Sequence, residues 1–289
     1  MNTTFAQTLP ITLWSLVNKA YEMTDIQADT PSLSISLIDH TSLEEAAYTM
    51  VGSETTEDIL TLCEAAKDKA AAVCVYPNHA STASNFLDSS TTKVAIVHNF
   101  PHGDNSLEHI KETIATFTSI NCDEIDTVID YQAFLKGDID ACKEKLLITS
   151  AASHAAKKTL KVILKASVYE NYQSLYDAAI LACECGADFV KTCTGKLPKS
   201  GFGNGSADIS TLLTGATVLQ AVSDYNKAHP KTVGVKISGG VKTAADCEKY
   251  RYLVQELVNN DFYCDTYFRF GASSLLPNLI NGTESTTAY

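Results

Sequence analysis

Three lysines stand at the ends of short apolar runs in this 289-residue chain: Lys165, Lys191 and Lys236. An ordinary lysine, with a pKa of ~10.4, is protonated at neutral pH and is a poor nucleophile. Desolvation or a neighbouring cation disfavours the charged form and releases a free amine able to condense with a carbonyl. A lone lysine at a strand end is ordinarily a solvated side chain. Three of them aimed into one place suggest Schiff-base chemistry. A carboxylate is available for proton transfer: Asp126 lies inside the run 124–129, on the same face as Glu124 and Val128 by period-two alternation.

A second set of residues could hold an anion. The run ending at Lys236 is followed by Ser238-Gly239-Gly240-Val241-Lys242, and the run 266–270 by Gly271-Ala272-Ser273-Ser274. Glycines let backbone N–H groups approach a phosphate, and a helix start adds further donors. Thr194-Gly195-Lys196 supplies a third donor cluster.

These residues need elements to position them. Apolar runs at 34–38, 72–76, 94–97, 124–129, 161–164, 188–191, 232–236 and 266–270 are each followed by a stretch of helical periodicity. Eight strand–helix units in a row imply parallel pairing and closure into an α/β TIM (β/α)8 barrel, with a doubly wound open sheet as the alternative. In a barrel the site lies at the carboxyl ends of the strands, so Asp39 at the end of the first run and Asn99 after the third join the candidates. Residues 1–30 read as an N-terminal helical extension and 282–289 as a flexible C-terminal tail, leaving one domain over 1–289.

Composition narrows the function classes. Hydrophobic residues make up 45% of the chain, enough for a full core, and the formal charge of -12 argues against a nucleic-acid or anionic-membrane partner. No apolar run approaches the ~20 residues of a membrane helix. The N-terminus lacks the pattern of a secretory signal, so a cytoplasmic location is expected. The nine cysteines are scattered without CxxC spacing, which points to reduced thiols. His98 and His102 have Pro101 between them and no third ligand nearby in sequence, so no metal site is expected. Gly201-Phe202-Gly203-Asn204-Gly205 follows no cofactor fingerprint and reads as a connection.

Asp188-Phe189-Val190-Lys191-Thr192-Cys193-Thr194-Gly195-Lys196, Val233-Gly234-Val235-Lys236-Ile237-Ser238-Gly239-Gly240-Val241 and Arg269-Phe270-Gly271-Ala272-Ser273-Ser274 resemble the motifs of deoxyribose-phosphate aldolase, a class I aldolase family. Asp123-Glu124-Ile125-Asp126, Asn99-Phe100-Pro101-His102-Gly103, Val73-Cys74-Val75-Tyr76-Pro77 and Leu37-Ile38-Asp39-His40-Thr41 are further matches, in family order over about residues 33–275. The resemblance implies that Lys191 forms the Schiff base, Lys236 lowers its pKa and Asp126 relays protons. It implies reversible cleavage of 2-deoxy-D-ribose 5-phosphate to acetaldehyde and D-glyceraldehyde 3-phosphate, with no cofactor because the iminium is the electron sink. Asp39, Thr194, Gly195, Lys196, Gly239, Gly240, Gly271, Ser273 and Ser274 would contact substrate, together with the terminal Tyr289. Its partners would be a small sugar phosphate and aldehydes, and its assembly a monomer or homodimer.

The chain also departs from the family. Lys165 stands where Glu is usual, Lys242 where Arg is common, and the segment from 197 to 208 and the N-terminal extension are long. A related class I aldolase with another aldehyde or a non-phosphorylated substrate therefore stays open. So does a barrel that only binds a sugar phosphate, against which the intact lysine pair counts.

Overall fold

A computed structural model describes residues 10–23, 31–44, 51–196 and 208–282 of the chain. Eight strands close into one all-parallel barrel in sequence order: β1 Ile38–Thr41, β2 Ala72–Val75, β3 Lys93–His98, β4 Glu124–Val128, β5 Thr159–Ile163, β6 Phe189–Lys191, β7 Gly234–Ser238 and β8 Phe268–Ala272. Closure comes from β8 pairing with β1, Gly271 opposite Asp39. Each strand is almost wholly buried because its outer face meets helices and its inner face meets the other strands. The outward residues, among them Val73, Ile96, Ile125, Val162, Val190, Val235 and Phe270, join the helices in the main apolar core.

The helices start where side chains can satisfy their first N–H groups. Thr55 and Thr243 form capping boxes with Asp58 and Asp246, and Ser106, Asp130, Asp138, Asn171 and Asp208 each accept a bond from the first turn. The longest helix, Ile209–Ala228, packs against the preceding helix Tyr172–Glu184, against Ala244–Leu257 and against an N-terminal helix Ile11–Tyr21. Leu13, Val17 and Ala20 form the buried face of that N-terminal helix. The extension expected over 1–30 is thus helical over Ile11–Tyr21, while residues 1–9 and 24–30 lie outside the described residues, as do 283–289 of the expected tail. Among the described residues no helix is long and apolar enough to cross a membrane.

Several strand positions differ from expectation: β7 and β8 each lie two residues later than the runs 232–236 and 266–270, so Lys236 is in the middle of β7 rather than at its end. Residues 34–38 were expected as the first strand, but Pro31–Ser36 is helical and β1 begins at Ile38. Pro31 at the first helical position sets φ for a helix, and this outweighs the polar–apolar alternation that follows. Asp39 is consequently inside β1 rather than at its end. In β5, the expected end at Lys165 is two residues late: the strand stops at Ile163, and Lys165 adopts a left-handed backbone at φ 57°.

Candidate active site

Alternation within each strand sends one residue in two toward the barrel axis. Seven charged side chains arrive there: Asp39 from β1, Glu124 and Asp126 from β4, Lys161 from β5, Lys191 from β6, Lys236 from β7 and Arg269 from β8, all buried. Beside them β2 contributes Cys74, whose Sγ is 4.0 Å from Asp126 Oδ2. The inner face of β3 contributes only Ala95 and Val97.

The contacts form a single network. Asp126 Oδ2 accepts from Lys191 Nζ at 3.0 Å and from Lys236 Nζ at 2.8 Å, while its Oδ1 accepts from Lys161 Nζ at 2.9 Å. Asp39 pairs with Lys236 at 2.5 Å and Lys161 at 3.2 Å through Oδ2, and with Arg269 Nη1 at 2.8 Å through Oδ1. Glu124 closes the network on Lys161, with Arg269 Nη2 at 3.6 Å. Two glycines make room for it. A Cβ on Gly271 would lie 2.8 Å from Lys236 Cε, and one on Gly234 2.5 Å from the Phe189 ring that packs under Arg269.

The electrostatics distinguish the lysines. Burial first, and then the adjacent Lys236 ammonium, push Lys191 below the ordinary lysine value, with Asp126 opposing. Burial also acts against the charge of Lys236 and Lys161, but the carboxylates around each overcome it and hold both protonated. Burial likewise disfavours ionised Asp126, yet Lys161, Lys236 and Lys191 keep it well below the usual carboxylate range. Four cationic groups face three carboxylates, so the interior is balanced when one lysine is neutral, and Lys191 is the lysine shifted in that direction. The arrangement can therefore present an amine nucleophile and a protonated acid, each within about 3 Å of one ionised base.

Above the charged layer the barrel mouth has two unlike sides. Leu43, Tyr76, Phe100, Val128 and Ile163 make a small apolar cluster with Cys74, Ala95 and Val97, which are level with the charged layer, and Tyr131 packs against it. Opposite, the loops after β6, β7 and β8 are tied together. Thr192 Oγ1 donates to Ser238 O and accepts from Ser238 N, Ser238 Oγ bridges the backbone of Cys193, and Asn278 Nδ2 of the last helix donates to Lys242 O. Gly195, Gly239 and Gly240 take positive φ values of 77°, 90° and 75°, which favour glycine. The expected anion-binding residues Thr194, Gly195, Lys196, Gly239, Gly240, Gly271, Ser273 and Ser274 thus lie on three consecutive strand ends. Thr194 Oγ1 caps Lys196 N at 3.1 Å, and Ser274 immediately precedes the short helix Leu275–Asn281 without capping it through its side chain.

Other candidates fall elsewhere. Lys165 does not join the lysine cluster: its Nζ meets Tyr131 Oη at 3.1 Å and sits 4.7 Å over that ring. Asp39, expected at the strand end, lies beneath the mouth with no exposed surface. His98 faces outward between the hydroxyls of Thr127 and Thr113, and burial lowers its pKa to about 4. Tyr289 and the glycines at 201, 203 and 205 lie outside the described residues. Lys161 and Arg269 were missed as members of the cluster. Lys161 is the direct register partner of Asp126, and a lysine inside a strand buried on both faces has to find a carboxylate; that was the available signal.

Known proteins share the family and the fold of this chain. Residues 33–257 match the model of the DeoC/LacD family of aldolases. Among solved structures, a candidate deoxyribose-phosphate aldolase from Coccidioides immitis superposes with a TM-score of 0.68 at 24% identity, covering 95% of this chain and 98% of that one. A candidate deoxyribose-phosphate aldolase from Toxoplasma gondii gives 0.71 at 20% identity, covering 95% and 98%. A tetrameric deoxyribose phosphate aldolase from Aeropyrum pernix gives 0.64 at 20% identity, covering 93% and 98%. At these identities the structural likeness speaks for the fold.

Proposed function

The chain belongs to the DeoC/LacD family of aldolases, and on that premise we propose that it cleaves 2-deoxy-D-ribose 5-phosphate reversibly to acetaldehyde and D-glyceraldehyde 3-phosphate through a Schiff base on Lys191. The observation that carries this reading is the sharing of Asp126 Oδ2 by Lys191 and Lys236 in a buried, charge-balanced layer under the barrel mouth.

In this mechanism the neutral Lys191 amine attacks C1 of the open-chain sugar. The carbinolamine loses water to give an iminium, the departing hydroxyl being protonated from the Lys236–Asp126 pair. The C3 hydroxyl then loses its proton, and the C2–C3 bond breaks as its electrons move into the iminium. Glyceraldehyde 3-phosphate leaves and an enamine remains on Lys191. Protonation at C2 and addition of water release acetaldehyde and regenerate the amine. Asp126, held ionised, is placed to accept protons, and Lys236, held protonated, to supply them. The glycine and serine loops at the ends of β6, β7 and β8 would receive the phosphate, leaving the reacting carbons between Lys191 and the apolar cluster.

A direct test compares cleavage of 2-deoxyribose with and without the 5-phosphate, reading aldehyde release by a coupled dehydrogenase. Preference for the phosphorylated sugar is expected. A strong preference for the free sugar would remove the phosphate assignment and favour a related aldolase.

A further inference from the structure

We propose that Lys161 is a positioning residue for the reaction: it never touches substrate, but fixes which oxygen of Asp126 faces the nucleophile. Its Nζ is fully buried and touches carboxylates from two strands, Asp39 at 3.2 Å on β1, and on β4 Asp126 Oδ1 at 2.9 Å and Glu124 at closer range. Asp126 has two oxygens and three lysines around it. By occupying Oδ1, Lys161 leaves Oδ2 alone to serve both Lys191 and Lys236. Without that pin the carboxylate could rotate about its terminal torsion, where the energy wells are broad, and the Lys191–Asp126–Lys236 geometry would be lost.

The charge acts in the same direction. The groups facing Asp126 are Cys74 from β2, Glu124 from its own strand, Lys161 from β5, Lys191 from β6 and Lys236 from β7, with Asp39 and Arg269 one contact further; Val97, its register partner on β3, is apolar, and Lys93 on the same face of β3 is exposed at the far end of that strand. Of the three lysines Lys161 holds Asp126 ionised most strongly. It also separates Glu124 from Asp126, two carboxylates on the same face of β4 that would otherwise repel each other at close quarters. Removing this cation raises the proton affinity of Asp126 and of Lys191 alike, so the acidic limb of the pH–kcat profile moves to higher pH.

The inference rests on the Schiff-base reading, so the experiment begins with borohydride trapping of the wild type on 2-deoxyribose 5-phosphate. A wild type without an adduct on Lys191 overturns that reading and this inference together. With the adduct present, Lys161→Met is expected to lower kcat by about tenfold or more at neutral pH, with KM little changed and the acidic limb displaced upward. Lys161→Arg, which keeps the charge, is expected to return the limb to its wild-type position while recovering only part of kcat. A trapped wild type whose Lys161→Met variant keeps its kcat and pH profile overturns the inference alone. So does a loss of kcat with an unmoved limb. Should the methionine variant fail to fold, Lys161→Arg is read by itself: reduced kcat with KM and limb unmoved supports the role, and wild-type kcat or a displaced limb overturns it.

Discussion

Lys191 and Lys236 are direct register partners on adjacent parallel strands, and their nitrogens rest on the same oxygen of Asp126. Two ammonium groups so placed would repel each other, and the structure resolves the conflict unequally. Lys236 has a second carboxylate, Asp39, at 2.5 Å, whereas Lys191 has Asp126 alone. The lysine with fewer counter-charges is the one shifted toward the free amine, and the better-paired one is held protonated.

Replacing Lys236 by leucine tests this division of labour. Loss of the cation removes one of the two causes that depress Lys191, burial remaining as the larger. The Lys191 pKa should rise, and the free-amine fraction at neutral pH falls about tenfold for every pH unit by which it climbs. Turnover should drop sharply near pH 7 and recover in part as pH increases. A pH–rate profile of wild-type shape would contradict the coupling.

Gly271→Ala probes the same lysine from the neighbouring strand. The added methyl would stand 2.8 Å from Lys236 Cε and 3.2 Å from Ser238 Cβ, so the lysine chain has to move off its two carboxylates. Misplacing a reacting group by about 1 Å can cost roughly a hundredfold in rate. We expect kcat to fall much more than thermal stability does; equal kcat in the two proteins would show that Lys236 can shift without consequence.

The fold was legible where alternation and helix signals agreed. β2, β3, β4 and β6 lie within one residue of the expected runs, and β5, β7 and β8 within two. Errors arose where a local signal had to be weighed against tertiary pairing. The stretch at 34–38 alternates like a strand, yet Pro31 starts a helix, and the ladder to β8 begins only with Leu37 O accepting from Phe270 N. Lys165 ends an apolar run, but the left-handed turn at that residue carries it to Tyr131, and the axis receives Lys161 instead. Lys161 and Lys165 share one face by alternation, so the difference lies in where β5 stops: Ile163 ends the strand, and that end point is set by pairing with β4 and β6 rather than by the run itself.

Asp39→Asn should destabilise the barrel more than its small change in volume suggests. The carboxylate is fully buried and neutralises Arg269, Lys236 and Lys161 together. Breaking a buried ion pair from one side typically costs about 3–5 kcal/mol, which urea unfolding at neutral pH would reveal. Burial opposes ionised Asp39, but Lys161 and Lys236 outweigh it and depress the folded-state pKa. Its contribution is therefore present above the ordinary value of 3.8 and lost as pH falls below it. The stability gap between wild type and variant should narrow in acid; a gap independent of pH would contradict this origin.

Ser273→Glu tests the anion loops. A carboxylate placed among the Gly195, Gly239–Gly240 and Gly271 loop ends should repel a phosphorylated substrate and raise KM by about tenfold, the equivalent of ~1.4 kcal/mol. Little effect is expected on a substrate without phosphate. An unchanged KM for the phosphorylated sugar would place the anion elsewhere.

The central claim is that the Lys191 amine bonds covalently to the substrate and that a carbon–carbon bond breaks while it does so. Incubation with 2-deoxyribose 5-phosphate and borohydride, followed by peptide mass mapping, reads both events at once. The account predicts a reduced two-carbon adduct on Lys191, absent from a Lys191→Met variant. A protein that turns over substrate yet carries no adduct on Lys191 would contradict it.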